Sequence, residues 1–115
     1  MALVADLHAV ITDLERTLDI ADDVIAGAVG VDPRSVGRWR VGETFPQKGP
    51  RARLDQLSNL KVRLYETFSS AEAVQAWMHT NSRYLGHLKP AEAARAGRLD
   101  RVIAALDAFD AGLFI

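Results

Sequence analysis

The chain contains no cysteine. Disulfide staples, thiolate metal ligands and thiol nucleophiles are therefore excluded, and a reducing compartment is allowed. Histidine is scarce: His8, His79 and His87 are the only three. None has a second histidine or a carboxylate three or four residues away, so the sequence offers no helical metal-ligand pair. No apolar run approaches the roughly 18 residues of a membrane span, and Met1 to Asp6 lack the basic region of a secretory signal. A cytoplasmic location with no membrane partner is the expectation. No glycine-rich phosphate loop, nucleophile elbow or kinase-type series occurs. Asp22 and Asp23 are adjacent, and neighbours on a helix point about 100° apart, so they do not form a carboxylate pair. The chain is expected to be neither an enzyme nor a cofactor carrier.

What is present is a globular composition. The 115 residues are 49% hydrophobic and 25% charged, with room for one domain or two very small ones sharing a core. A net charge of −1 conceals an uneven distribution. Residues 1–30 carry one basic and six acidic residues, residues 31–63 eight and three, and residues 64–115 five and six. The middle is the basic segment, as a phosphate-binding surface requires, although a solvated face reads the same way.

Apolar periodicity predicts helices throughout, and no alternating strand pattern occurs. Leu3, Leu7, Val10, Ile11, Leu14 and Leu18 fall on one face of a first helix. A second fits 21–29 and ends at Gly30; Asp32-Pro33 then supplies a cap and a first helical residue for a third, to about Val41. Residues 42–50, with Gly42, Pro46, Gly49 and Pro50, read as a linker. Leu54, Leu57, Leu60, Leu64 and Phe68 mark a helix over 51–68, and Ser69-x-x-Glu72 has capping-box spacing for the next. Asn81 caps a short turn ending near Gly86, Pro90 opens a helix that stops at Gly97, and Leu99 to Phe109 line a last one closed by Gly112. The fold class is all-α, divided into a helix-turn-helix region at 1–49 and a second helical region at 50–115.

Residues 22–41 meet the demands of a helix-turn-helix. Ala26 is the small residue at the helix contact, Gly30 makes the turn, and Ile25, Val29, Val31, Val36 and Trp39 face inward. Arg34, Ser35, Gly37, Arg38 and Arg40 are left on the outward face of the second helix. Arginine can read guanine edges there and serine can reach a base or a phosphate. Lys48, with Arg51 and Arg53, is placed to grip flanking phosphates. The expected DNA contacts are Arg34, Ser35, Arg38, Arg40 and Lys48; the bland alternative is a tight hairpin with a solvated basic face.

The run Val31-Asp32-Pro33-Arg34-Ser35-Val36-Gly37-Arg38-Trp39-Arg40-Val41-Gly42 resembles the recognition segment of the Xre/MbcA/ParS antitoxins. Trp77-Met78, Asn81, Leu85-Gly86, Pro90, Gly97, Val102, Leu106 and Gly112 stand in the order and approximate spacing of that family's C-terminal toxin-binding domain. The resemblance covers roughly residues 17–115. It departs after Pro90, where Ala91-Glu92-Ala93-Ala94-Arg95-Ala96 replaces the larger aliphatics usual in the family.

The resemblance implies an antitoxin that inhibits a RES-domain toxin, an enzyme that destroys NAD, by covering the NAD cleft with its C-terminal part. It further implies repression of its own operon through operator DNA. Motif geometry adds a homodimer on a two-fold operator, because one small helix-turn-helix seldom reads enough bases alone. The toxin-binding residues so implied are Asn81, Arg83, Phe109, Gly112, Leu113, Phe114 and Ile115. Independently, three consecutive apolar residues at a terminus call for something to bury them, which is either a partner or the chain's own core. A stand-alone DNA-binding regulator, whose second half only dimerises it or senses a ligand, is the alternative.

Overall fold

Leucine spacing and capping signals become seven α-helices and one 3-10 turn in the computed structural model, which describes residues 7–112. Helix α1 spans Leu7–Leu18, α2 Asp22–Val29, α3 Pro33–Arg40 and α4 Lys48–Phe68. Helix α5 spans Ala71–Met78, the 3-10 turn Arg83–Leu85, α6 Pro90–Arg95 and α7 Leu99–Asp110. No strand occurs among the described residues, so the fold is all-α as expected. Leu3, assigned to the first helix by periodicity, lies outside the described residues.

Two boundaries differ from expectation for local reasons. Helix α4 begins at Lys48 and absorbs Gly49 and Pro50, which had read as linker. Proline is tolerated in a first turn because its missing N–H would have had no intrahelical partner there. The cap of α5 is Ser70, whose hydroxyl accepts from the Ala73 N–H at 3.1 Å. Ser69 instead closes α4 in the left-handed conformation, at φ 62°.

One hydrophobic cluster runs through the described structure, from Ile11, Leu14 and Leu18 of α1, through Leu57, Leu60 and Leu64 of α4, to Val102 and Leu106 of α7. Each fully buried leucine contributes roughly 1.5–3 kcal/mol of transfer free energy. Helix α2 occupies the centre, packed against α3, α4 and α6. Both halves of the chain thus share a core.

The contact between α2 and α6 is unusually close, and small residues permit it. A methyl carbon placed on Gly27 would lie 1.8 Å from the Arg95 carbonyl oxygen. On α6, Ala91, Ala93 and Ala94 are all buried. The alanine run after Pro90 is therefore the packing surface that lets the two backbones approach, which accounts for the absence of larger aliphatics there.

Candidate nucleic-acid and partner-binding faces

Helices α2 and α3 are joined by a turn that the sequence dictates residue by residue. Gly30 takes φ 83°, a left-handed conformation glycine adopts without steric cost. The amides of Gly30 and Val31 both bond to the Ala26 carbonyl, at 2.8 and 3.0 Å, closing the end of α2. Asp32 caps α3 by accepting from the Arg34 N–H at 2.8 Å, and Pro33 follows at the first helical position. The Arg34 guanidinium in turn meets the Asp32 carboxylate at 3.2 Å and holds its carboxyl below the usual range.

Helix α3 buries Val36 and Trp39 and leaves Arg34 and Arg38 exposed, with Ser35 half-buried between them. Ser35 and Arg38 border a groove of about 300 Å³, whose far side is Phe45 and Gln47 of the α3–α4 connection. Lys48 is exposed in the first turn of α4, followed by Arg51 and Arg53. That turn contains no acidic residue and no side-chain cap. Cations at the positive end of a helix dipole are electrostatically unfavourable unless an anion joins them, so this end of the molecule is suited to phosphate.

Arg40 does not belong to that face, which corrects the helical-wheel placement. Its Nη2 reaches Glu15 Oε1 of α1 and Asp22 Oδ1 of α2, each at 2.5 Å. Partners on two other helices turn the side chain inward, and it is only 25% exposed. His8 Nδ1 stands 3.1 Å from the Arg40 carbonyl oxygen, so α1 also touches the C-terminal end of α3. His79 plays a similar part at the end of α1, with Nε2 2.8 Å from the Asp19 carbonyl oxygen and 3.2 Å from that of Leu18.

One guanidinium nitrogen cannot neutralise two carboxylates. Burial, with the Asp22 carboxylate beside it, pushes the Glu15 carboxyl up to about 7. The hydrogen bond from Glu15 holds Asp22 below the usual range, with Arg40 adding to the effect. The two acids titrate as a pair. A carboxyl whose folded value exceeds its unfolded one stabilises the fold while protonated, so that contribution is complete below the unfolded value of 4.5 and disappears as pH rises through about 7. Urea midpoints measured at pH 5 and pH 8 should therefore show the wild type losing about 1–2 kcal/mol over this interval. Glu15→Gln, permanently neutral, should lose little; equal slopes in the two proteins would remove Glu15 as the titrating group.

In the second half, the structure brings Asn81 and Phe109 together. They line a shallow pocket of about 100 Å³ with Trp77, Thr80, Ser82 and Pro90. Phe68 supports it from below, with its ring centroid 5.1 Å from that of Phe109 and 6.3 Å from that of Trp77. The Ser82 hydroxyl is buried there without a hydrogen-bond partner among the described residues. Asn81 is exposed and caps nothing, since Ser82 opens the 3-10 turn. Arg83 is exposed on that turn, and Gly112 follows α7 at φ 83°. Leu113, Phe114 and Ile115 lie outside the described residues.

The end of α7 is pinned to α4 by residues that sequence reasoning missed. Arg63 bonds to Asp107 at 2.7 Å and Asp110 at 2.8 Å, and the Thr67 hydroxyl donates to Asp110 at 3.1 Å. These partners are more than 40 residues apart in the chain, and no local signal links them. Among the described residues no cluster of three metal-ligating side chains occurs, and no helix of the described residues is long and apolar enough to cross a membrane.

Comparison with known proteins adds independent findings. Residues 63–112 match the model of the antitoxin Xre/MbcA/ParS C-terminal toxin-binding domain. The mycobacterial cidal antitoxin MbcA of Mycobacterium tuberculosis is 35% identical over 102 residues, covering 89% of this chain and 88% of that protein. MbcA of Mycobacterium bovis is similar to the same extent. A chain in the crystal structure of the M. tuberculosis MbcT-MbcA toxin-antitoxin complex superposes with a TM-score of 0.63 at 31% identity, covering 95% of this chain and 97% of that one.

Proposed function

Because this chain belongs to the Xre/MbcA/ParS family of antitoxins, we propose that it binds and inhibits a RES-domain toxin that degrades NAD, covering the NAD cleft with its C-terminal segment. The observation that carries this reading is the match of residues 63–112, from the last turns of α4 through α7, to a toxin-binding domain. The contact set comprises Asn81, Arg83, Phe109 and Gly112, continuing into Leu113, Phe114 and Ile115. Phe109 supports the choice: it is 41% exposed, although the helix that bears it is otherwise anchored by Arg63. An aromatic half out of water on a fixed support is a ready anchor for a partner's pocket.

The same molecule acts on operator DNA through α2 and α3, repressing its own operon as a homodimer. Arg34, Ser35 and Arg38 read or position the duplex, and Lys48 holds an adjoining phosphate. Two copies are needed because one short recognition helix reaches too few bases for operator selectivity. Residues 1–49 thus form the DNA-binding region and 50–115 the toxin-binding region, in the cytoplasm and without catalysis by this chain.

The test is co-expression with the protein encoded beside it, using the full chain and a version ending at Asp110. The full chain should preserve cellular NAD and co-purify with its neighbour. The shortened chain should protect at least tenfold less. A neighbour that neither binds the full chain nor consumes NAD would leave a stand-alone regulator, whose second half only dimerises it.

A further inference from the structure

Helix α3 does not run straight into α4. Gly42, at φ 79°, reverses the chain, and the amides of Gly42 and Glu43 bond back to the carbonyls of Trp39 and Arg38 at 3.2 and 2.9 Å. The connection then faces α3 across a groove, with Ser35 and Arg38 on one side and Thr44, Phe45 and Gln47 on the other. Pro46 restricts Phe45 to extended backbone, and Gln47 is extended as well, at φ −73° and ψ 176°. Beyond it, Arg53 of α4 braces the α2–α3 turn: a methyl carbon on Gly30 would stand 2.6 Å from its guanidinium. The far wall is thus held at both ends.

Two side chains on that wall have no use within the chain. Phe45 is 50% exposed, although the buried or half-buried Val31, Trp39 and Pro50 line the same groove. Gln47 is exposed at the N-cap of α4, where its carboxamide makes no cap hydrogen bond. The charge around them is predominantly positive. No ion pair among the described residues includes Arg38, Lys48, Arg51 or Arg53. Of the nearby carboxylates, Asp32 is paired with Arg34, and neither Glu43 nor Asp55 lines the groove.

We propose that Phe45 and Gln47 are specificity-determining residues of the operator interface, Phe45 packing on a thymine methyl group and Gln47 bonding to an adenine edge. A·T pairs then adjoin the bases read from α3. The proposal rests on the operator-binding reading and adds a second reading element to it. A duplex that brings a base edge to Arg38 and a phosphate to Lys48 passes over the connection that joins them. The major-groove edge of an A·T pair offers the C5 methyl group of thymine and the N7 acceptor and N6 donor of adenine. A phenyl ring matches the first and a carboxamide the second. A G·C pair has no methyl group to offer. The unpaired cations on either side of the wall complement the charge of the duplex backbone.

Duplexes altered at single atoms test this, with the full chain, Phe45→Ala and Gln47→Ala binding the DNA upstream of their own gene. Each thymine is replaced in turn by deoxyuridine, which lacks the methyl group, and each adenine by 7-deaza-2′-deoxyadenosine, which lacks N7. The wild type should lose about fourfold in affinity at a uracil position and about fivefold or more at a deaza position. Phe45→Ala should become indifferent to that uracil, and Gln47→Ala to that deaza base, each binding the unaltered operator more weakly than the wild type. Both residues are exposed, so melting temperatures should hold. A variant that keeps every sensitivity of the wild type overturns the inference, as does a wild type indifferent to every alteration. Loss of toxin binding or dimerisation with the operator pattern unchanged would assign the wall to a protein contact and overturn it equally. In those cases weakened operator binding by Arg34→Ala with Arg38→Ala still upholds α3 as the recognition helix. A wild-type chain that does not bind the operator ends both.

Discussion

In Gly27→Ala the thermal midpoint falls by roughly 10–20 °C, corresponding to a loss of about 3 kcal/mol or more. The added carbon would lie 1.8 Å from the Arg95 carbonyl oxygen, with the Arg95 carbonyl carbon and Cα at 2.5 and 2.7 Å. All three are backbone atoms, so no side-chain rotation relieves the clash and α6 must move off α2. Gly37→Ala provides the opposite-sign control. Its new carbon meets nothing within 4 Å, and alanine in a helix interior should add up to about 1 kcal/mol. Chemical denaturation of the two variants decides the point: a Gly27→Ala protein as stable as the wild type would mean that α2 and α6 are not in close contact.

The second large effect concerns α3. Arg34→Ala with Arg38→Ala should weaken operator binding about a hundredfold or more, since each arginine that reads a base contributes about 1–3 kcal/mol. Part of the loss will be uniform across sequences if either residue grips phosphate, and the salt slope then falls by about one per contact. Both side chains are exposed, so the melting temperature should hold. Arg40→Ala should behave in the reverse manner, destabilising the protein because Glu15 and Asp22 lose their shared cation. Electrophoretic mobility shifts with the operator separate the three, and an unaffected double variant would remove α3 as the recognition helix.

How much could be read from the sequence depended on how far each residue's partners lay along the chain. The α2–α3 turn was legible because Gly30, Asp32 and Pro33 act within a few residues of themselves. The inward placement of Arg40 was not, because its face of α3 is covered by α1 and α2, and a helical period does not reveal what lies opposite. Gly27 gave no signal for the same reason, its neighbour Arg95 being 68 residues away. Ser69 and Ser70 were misread by one position: either can cap, and the left-handed exit of α4 decides between them. In the second half, Asn81 was named by resemblance and Phe109 by the apolar period of the last helix, and neither pattern revealed that they line one pocket with Trp77.

The central position of α2 has a consequence for turnover. One face of this helix supports α3 and another lies on α6, so α3 and the second half cannot open separately. A partner that grips only the second half at a concentration a thousand times its dissociation constant adds about 4 kcal/mol to the whole molecule, recognition helix included. When that partner is absent, a protease that captures the opened chain removes both halves in one event. The lifetimes of the two proposed binding faces are then one quantity, to which the close approach of Gly27 to the Arg95 carbonyl contributes.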